Sequence, residues 1–375
     1  MRTQHHVLPS ANLGNQRTLS SLHFGAGLSG KKVYIQSSLH ADEIPGMLVA
    51  HYLRQQLTEY ERTGAIDGEI VLVPVANPIG LAQDIQGTAF GRFDLSTGVN
   101  FNRAYRYLTP ELIKRLDGQL GSDATENTQK IRQAARTLLT EWQSSSETEA
   151  LKKHLQTLAI DADIVLDLHC DNQAVLHLYT GTPLVQQGMP LAAYLGAHAV
   201  LVTTESGGDP FDENCSRHWW ELAAHFANQK QNTPIALACL SITVELRGET
   251  DVKHELARQD AAAICAFLQQ AGHIKGTAPA MPKLICEATP LEGVEPIAAT
   301  QSGILVMTKR LGEMVQAGES IGDIVDPLSG AVTPLLASTS GTLFACLARR
   351  YVSAGTRVAK VAGSHAFRQG MLLSM

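Results

Sequence analysis

Short apolar runs alternate with segments of helical periodicity along the first 270 residues. Residues 32–38, 69–76, 163–168 and 241–246 are such runs, and a further one ends at Thr203. Near-continuous apolar runs are typical of strands covered on both faces. Apolar residues recur at helical spacing in residues 44–60, 184–195, 217–230 and 252–270, which predicts helices. The alternation predicts an α/β fold, a sheet with helices on both faces.

Residues 109–160 interrupt this alternation and predict a helical insertion. An apolar stripe containing Ile131, Leu138 and Trp142 fits one helix, and Ser146 and Glu149 have capping-box spacing for the next. We interpret the insertion as scaffold.

The pattern changes after Gly272, where prolines punctuate a linker-like stretch and short β-like runs then alternate with glycines. This predicts a small all-β domain. The expected division is therefore residues 1–285 for a larger α/β domain and residues 286–375 for a C-terminal β-domain.

Composition narrows the functional classes. The 375 residues are 44% hydrophobic and 18% charged, with net charge −6 and 5% aromatic residues. These values exclude disordered and polybasic classes and give no reason to expect a nucleic-acid or membrane partner. No apolar run of 18 residues predicts a transmembrane helix. The N-terminal residues lack a signal-peptide core, and the six scattered cysteines are read as reduced thiols rather than disulfides. We therefore expect a cytoplasmic protein.

Candidate metal ligands follow two of the predicted strands. His40 and Glu43 lie three residues apart at a strand-to-helix corner, and His169 follows the strand at 163–168. Open α/β sheets bind ligands at the carboxyl ends of their strands, and two histidines with one glutamate are a known catalytic zinc set. Each motif alone is weak, but together they favour a metal site.

These residues resemble the succinylglutamate desuccinylase/aspartoacylase family of zinc carboxypeptidase-like deacylases. The resemblance covers residues 33–247 and is carried by His40-x-x-Glu43, the distant His169, and three further segments: Asn77-Pro78, Asn100-Phe101-Asn102-Arg103 and Thr243-Val244-Glu245-Leu246. It implies a mixed, mostly parallel sheet and one Zn²⁺ per chain, held by His40, Glu43 and His169. Ligand type alone leaves another divalent ion open.

The resemblance also implies roles for four other residues. Glu245 is expected to be the general base and acid, and Asn102 with Arg103 to hold a substrate carboxylate. The family uses an upstream arginine at the oxyanion, for which Arg92 is the nearest candidate, although a surface position is equally open.

Three neighbouring residues have alternative interpretations. Arg106 is a weaker candidate for the oxyanion. Arg247 shares a strand face with Glu245, so it could reach the cleft. Asp167 either orients His169 or anchors a turn.

Residues 298–362 resemble a lipoyl/biotinyl-like barrel-sandwich hybrid, and the matching pieces are residues 302–304, 311–319, 340–342 and 352–355. No lysine lies between Arg310 and Gly341, so a lipoylated or biotinylated carrier is excluded. We interpret this domain as a lid or an oligomerisation surface, and a homo-oligomer is possible.

The expected function is a zinc-dependent hydrolase that cleaves the amide bond of an N-acyl amino acid or a related small amide. One alternative is a metallocarboxypeptidase that acts on peptides. Another is a non-catalytic binding protein built on the same fold.

Overall fold

The computed structural model describes residues 1–9, 12–227 and 233–373. The helices are α1 (Pro45–Arg62), α2 (Pro78–Leu81), α3 (Thr109–Leu116), α4 (Ala124–Glu141), α5 (Glu147–Ala159), α6 (Val185–Leu195), α7 (Phe211–Ala227) and α8 (His254–Gln270), with short 3₁₀ turns at Thr182–Leu184 and Leu291–Gly293. α7 begins six residues before the predicted helix, whose last residues, 228–230, lie outside the described part.

Strands of the first 290 residues are β1 (Arg2–Val7), β2 (Thr18–Phe24), β3 (Lys32–Ser37), β4 (Glu69–Val73), β5 (Asp84–Ile85), β6 (Thr88–Ala89), β7 (Ile164–Asp171), β8 (Gln173–Ala174), β9 (His177–Gly181), β10 (Ala199–Thr203), β11 (Leu240–Gly248) and β12 (Ala288–Pro290). Within the described residues, nine of them form one sheet in the order β1-β2-β4-β3-β7-β11-β9-β10-β12. β5 and β6 form a separate hairpin.

The central strands of this large sheet are mostly parallel. β4, β3, β7 and β11 run parallel to one another, and so do β9, β10 and β12. Antiparallel pairing joins β1 to β2, β2 to β4, and β9 to β11. The prediction of a mixed, mostly parallel sheet is confirmed.

Helices cover both faces of the sheet, as predicted. On one face α1, α6 and α8 pack on alternate strand residues such as Ile35 and Leu166. On the other face α3, α4, α5 and α7 pack on the intervening residues such as Tyr34 and Val165. Buried side chains on both faces explain why these strands read as continuous apolar runs.

Eight further strands follow residue 293: β13 (Val294–Ala298), β14 (Gly303–Met307), β15 (Met314–Val315), β16 (Ser320–Val325), β17 (Val332–Leu336), β18 (Gly341–Cys346), β19 (Tyr351–Val352) and β20 (Arg357–Gly363). They form one sheet in the order β13-β20-β18-β15 and a second in the order β17-β16-β14-β19. The two sheets enclose a small apolar core that includes Leu305, Ile324 and Val361.

Two short strands connect the large sheet with the C-terminal sheets. β12 extends the large sheet by pairing with β10, although it lies beyond residue 285. β8, which directly follows β7, pairs with β18 of a C-terminal sheet. The division of the chain at residue 286 and the barrel-sandwich resemblance stay predictions. No helix among the described residues has both the length and the apolar character required to cross a membrane.

Candidate metal centre and active-site cavity

His40 and Glu43 lie in the connection between β3 and α1, as the sequence predicts. The backbone there turns through Ser38, whose φ is 63°. Asn77, at the start of α2, fastens this connection: its Nδ2 donates to the carbonyl of Leu39 at 2.9 Å, and its Oδ1 accepts from Gly80 N at 2.8 Å. Asn77 of the Asn-Pro segment therefore fixes the backbone next to His40.

His169 lies inside β7, which continues to Asp171 rather than ending at Leu168. β11 runs parallel to β7 with Glu245 in register with His169. Neighbouring strands thus place these two side chains side by side near the carboxyl ends of the central strands, next to the β3–α1 connection.

The structure brings the three predicted metal ligands together. His40 Nδ1 lies 2.9 Å from Glu43 Oε1, and His169 Nδ1 lies 2.6 Å from Glu43 Oε2. One ligand atom from each residue lies within 4.8 Å of the others, and all three side chains are buried. Two imidazole nitrogens and a carboxylate that converge in this way are the donor set that zinc uses.

The outer nitrogen of each imidazole faces an oxygen. His40 Nε2 donates to Asn100 Oδ1 at 2.9 Å. His169 Nε2 lies 3.0 Å from Asp167 Oδ2, although the two atoms are poorly aligned for a hydrogen bond. Oxygen partners at Nε2 favour the proton there and leave each Nδ1 lone pair for a metal. The residues present therefore fit a metal ion, and Asp167 takes the orienting position rather than that of a turn anchor.

Asn100 was assigned no role from the sequence, although it belongs to the Asn-Phe-Asn-Arg segment. The backbone N–H of Asn102 donates to Asn100 Oδ1 at 2.8 Å, which fixes this oxygen towards His40. The segment thus positions His40, a metal-ligand candidate, and also carries the expected carboxylate-binding residues.

The pKa values of the three metal-ligand candidates are shifted strongly from their usual values. Burial and the nearby Arg92 lower the pKa of His40 to about 4. Burial also opposes charge on His169, but the carboxylates Asp167 and Glu43 outweigh it and raise that pKa well above its usual value. Glu43 is buried too, yet His40 and His169 hold its pKa well below the usual range.

Glu245 lines the same cavity and behaves differently from Glu43. Burial, followed by the charge of Glu43, raises the pKa of Glu245 to about 8. Its Oε2 is buried with no hydrogen-bond partner in the described structure. A carboxyl group with a pKa near neutrality can both accept and release a proton.

Arg92 lies at the centre, whereas Arg106 and Arg247 do not. Arg92 Nη1 is 3.2 Å from Glu43 Oε1 and 3.2 Å from His40 Nδ1. The preceding Gly91 makes this approach possible, because a Cβ there would collide with the backbone of the β3–α1 connection. Arg106 instead binds a carboxylate on α3. The expectation that Arg247 reaches the cleft is wrong, because its guanidinium forms two hydrogen bonds with a carboxylate on α8.

Asn102 and Arg103 border the cavity through a tightly held loop. Asn102 Oδ1 accepts from the backbone nitrogen of Phe211 at 2.9 Å and so supports the start of α7. The buried Lys152 donates to the carbonyls of Asn100 at 3.3 Å and Arg103 at 2.6 Å. The loop that presents the Arg103 guanidinium is thus fixed by the helical insertion, beyond the scaffold role predicted for it.

A cavity of about 390 Å³ joins these residues to the C-terminal sheets. Its lining includes the metal-ligand candidates, Arg92, Arg103 and Glu245 on one side. Residues of β13, β18, β20 and the C-terminal tail (residues 364–373) line the other side. Asp212 and Glu213, at the start of α7, also line it, and burial raises their pKa values to about 6 and about 7. No sequence signal marked these two residues.

The chain is similar to known proteins in both sequence and fold. The model of the succinylglutamate desuccinylase/aspartoacylase catalytic domain matches residues 29–271. A structure from Shewanella amazonensis SB2B, described under that family's name, has a TM-score of 0.83 at 26% identity and covers 96% of this chain and 98% of its own. A Shewanella frigidimarina NCIMB 400 structure described under the same name has a TM-score of 0.84 at 24% identity and covers 96% and 97%.

A more distant fold match is the ectoine utilization protein EutE (DoeB) from Ruegeria pomeroyi, with a TM-score of 0.67 at 16% identity, covering 96% of this chain and 95% of its own. A comparison with curated proteins gave no match. The structural matches extend over nearly the whole chain, the C-terminal sheets included.

Proposed function

The chain belongs to the succinylglutamate desuccinylase/aspartoacylase family, and we propose that it is a zinc-dependent hydrolase that cleaves the amide bond of an N-acyl amino acid. The observation that carries this proposal is the convergence of His40 Nδ1, Glu43 and His169 Nδ1 beside Glu245 in one cavity. The expected substrate is a small molecule, and the cytoplasmic location and a homo-oligomer stay predictions.

We propose that His40, Glu43 and His169 hold one zinc ion per chain. Asn100 and Asp167 would fix the two imidazoles from behind, which increases the precision of the ligand set. A zinc ion with three protein ligands supplies a water of lowered pKa, about 7, and polarises a carbonyl.

Glu245 is the proposed proton carrier. It lies in register with His169 on the neighbouring strand, and its Oε2 has no competing partner in the described structure. The carboxylate would accept a proton from the attacking water and return it to the leaving amine.

Two arginines are proposed to act on the substrate's oxygens. Arg92 lies beside Glu43 and His40, so its guanidinium is in position to stabilise the oxyanion that forms at the scissile carbonyl. Arg103 offers a planar fork for the substrate carboxylate, with Asn102 next to it.

The test combines metal analysis with a hydrolysis screen of acetyl-, succinyl- and aspartyl-type N-acyl amino acids and of short peptides. We expect about one zinc per chain and turnover of N-acyl amino acids. Glu245→Gln should keep the metal and lose turnover, whereas His40→Ala should lose the metal. Glu249→Gln is a matched control, since this exposed glutamate also borders the cavity. Full turnover by Glu245→Gln would overturn the proposed mechanism, and turnover of peptides alone would favour a carboxypeptidase.

A further inference from the structure

The C-terminal tail lies over the cavity beside Arg103. Leu372 N donates to the carbonyl of Ser206 at 2.9 Å. Arg368, within the tail, links the tail to β13: its Nη1 donates to the carbonyl of Val294 at 3.2 Å and its Nη2 to that of Leu372 at 2.7 Å. The tail is therefore a fixed wall of the cavity.

The tail approaches Arg103 at Gly207 and Gly208, which lie against Met371 of the tail. Gly208 packs directly on the Arg103 side chain: a Cβ at Gly208 would lie 2.9 Å from Arg103 Cδ and 3.1 Å from Met371 Cε. Residues of the tail and the guanidinium proposed to hold the substrate carboxylate thus border the same part of the cavity.

Apolar side chains dominate the wall next to the tail. Seven residues that line the cavity also pack in one apolar cluster where the large sheet meets the C-terminal sheets: Tyr179, Leu201, Leu291, Val294, Ala345, Leu372 and Leu373. They come from β9, β10, the turn at 291–293, β13, β18 and the tail, so the surface is built by both parts of the chain.

Three of the charged groups on this side already have partners within the protein. Lys360 forms an ion pair with Asp171, and Arg368 donates to two backbone carbonyls. Glu213 Oε1 accepts from Ser206 N at 2.8 Å, whereas its buried Oε2 has no hydrogen-bond partner in the described structure. Arg357 also lines the cavity, but its side chain is exposed to solvent.

A charged substrate side chain against this apolar wall would lose its water and would have to displace one of these partners or reach the solvent-exposed Arg357, and each of these costs free energy. A second carboxylate would in addition approach Asp212 and Glu213, which lie close enough to Arg103 to interact with its charge. An apolar side chain avoids both costs and gains burial.

We infer that the amino-acid half of the substrate carries an apolar side chain, which packs against Leu201 and Leu372 while Arg103 holds its carboxylate. This inference rests on the proposed function and names the class of its substrate. It applies to the carboxylate-bearing half because the apolar wall and Arg103 are adjacent.

The test compares N-acetyl-L-leucine with N-acetyl-L-aspartate, N-acetyl-L-lysine and N-acetylglycine as substrates of the full zinc-loaded chain. We expect kcat/KM for the leucine compound to exceed that for each charged compound at least about tenfold, the discrimination typical of an apolar pocket. A preference for aspartate or lysine would overturn the inference and leave the proposed function standing.

Variants of the tail show whether the wall is responsible. Leu372→Asn should lower the ratio of kcat/KM for acetylleucine over acetylglycine about tenfold, and Leu373→Asn, a less buried position, provides a second variant if the first does not fold. Leu328→Asn is the matched control, because Leu328 is fully exposed in the C-terminal region. An unchanged ratio in folded tail variants would overturn the inference.

Calorimetry separates this inference from the proposed function. Free L-leucine should bind the zinc-loaded chain at least about tenfold more tightly than L-aspartate, and Leu372→Asn should reduce that preference. Leucine binding without hydrolysis of any N-acyl amino acid would overturn the proposed function and support the apolar subsite. Equal or weaker binding of leucine would overturn the subsite.

Discussion

A methyl group added at Gly208 probes the position of Arg103 without touching its charge. In Gly208→Ala the new Cβ would lie 2.9 Å from Arg103 Cδ and 3.1 Å from Met371 Cε. Carbon atoms normally remain about 3.5–4 Å apart, so the arginine, the tail or both must move by about half an ångström or more.

The expected magnitude has two parts. Gly208 has a φ of +79°, and a non-glycine residue in that region costs about 1–2 kcal/mol of folding free energy. Displacing the guanidinium weakens a charge-assisted hydrogen bond to the substrate, worth about 1.5–3 kcal/mol. Since 1.4 kcal/mol is tenfold, KM for an N-acyl amino acid should rise roughly 10–100-fold, with a smaller change in kcat.

The assay measures kcat, KM and thermal unfolding for wild type, Gly208→Ala and Gly318→Ala. Gly318 has a similar φ, +85°, but its added Cβ would meet no atom within 4 Å. Both variants should lose the stability that a positive φ costs, Gly208→Ala the more because of its close contacts, and Gly208→Ala alone should raise KM. The reasoning is refuted if the two variants have the same KM, because strain without displacement would then account for the effect.

Three other variants test buried charges and contacts. Burial, with Arg132, lowers the pKa of His218 to about 3; the unfolded chain therefore takes up a proton below about pH 6.5 that the folded chain refuses, and stability falls by about 1.4 kcal/mol per pH unit. His218→Gln should flatten this decline in urea unfolding between pH 6.5 and 4.5; an unaltered slope would contradict it. Lys152→Met should cost about 1–3 kcal/mol and raise KM, since two buried carbonyls lose their donor; an unchanged KM would argue against the loop's role. Lys360→Met should lower the free energy of unfolding by about 1–2 kcal/mol, because Asp171 loses its ion-pair partner. Lys309→Met, which removes a surface ion pair with Glu319, should lower it less. Equal losses would argue against a stabilising link between β7 and β20.

The metal-ligand candidates could be predicted because their signals are local. His40 and Glu43 share one connection, and His169 follows an apolar run that reads as a buried strand. Parallel strands bring their carboxyl ends to one edge of a sheet, so proximity follows once the strand assignments are correct. The roles proposed for these residues remain to be tested by the metal analysis.

Arg247 shows where strand periodicity fails as a guide. Alternation places residues 245 and 247 on one face, but the pairing of β11 with β7 is irregular between Glu245 and Gly248, and Arg247 has a φ of 69°. The side chain therefore leaves the cavity face and pairs with Asp260 on α8. A single irregular residue reverses the facing of a side chain, and the sequence pattern carries no mark of it.

Strands β1 and β2 lack an apolar sequence pattern for a different reason. β1 forms an edge of the large sheet, and all six of its residues are exposed or only partly buried. β2 beside it carries Ser20, Ser21 and His23, so its apolar content is low for a buried strand. Backbone pairing holds such strands in place, and an apolar pattern reports only side-chain burial.

The same limit explains why the cavity's second wall was unpredictable and why it matters. β8 and β12 are two and three residues long, too short to give periodicity, yet they connect the two parts of the chain. β7 carries His169, continues to Asp171, which pairs with Lys360, and then joins a C-terminal sheet through β8. The strand that holds a candidate metal ligand is therefore fixed at its far end by the C-terminal sheets. Those sheets and the tail also supply one side of the cavity, so the proposed substrate selection would depend on contacts that a sequence pattern does not report.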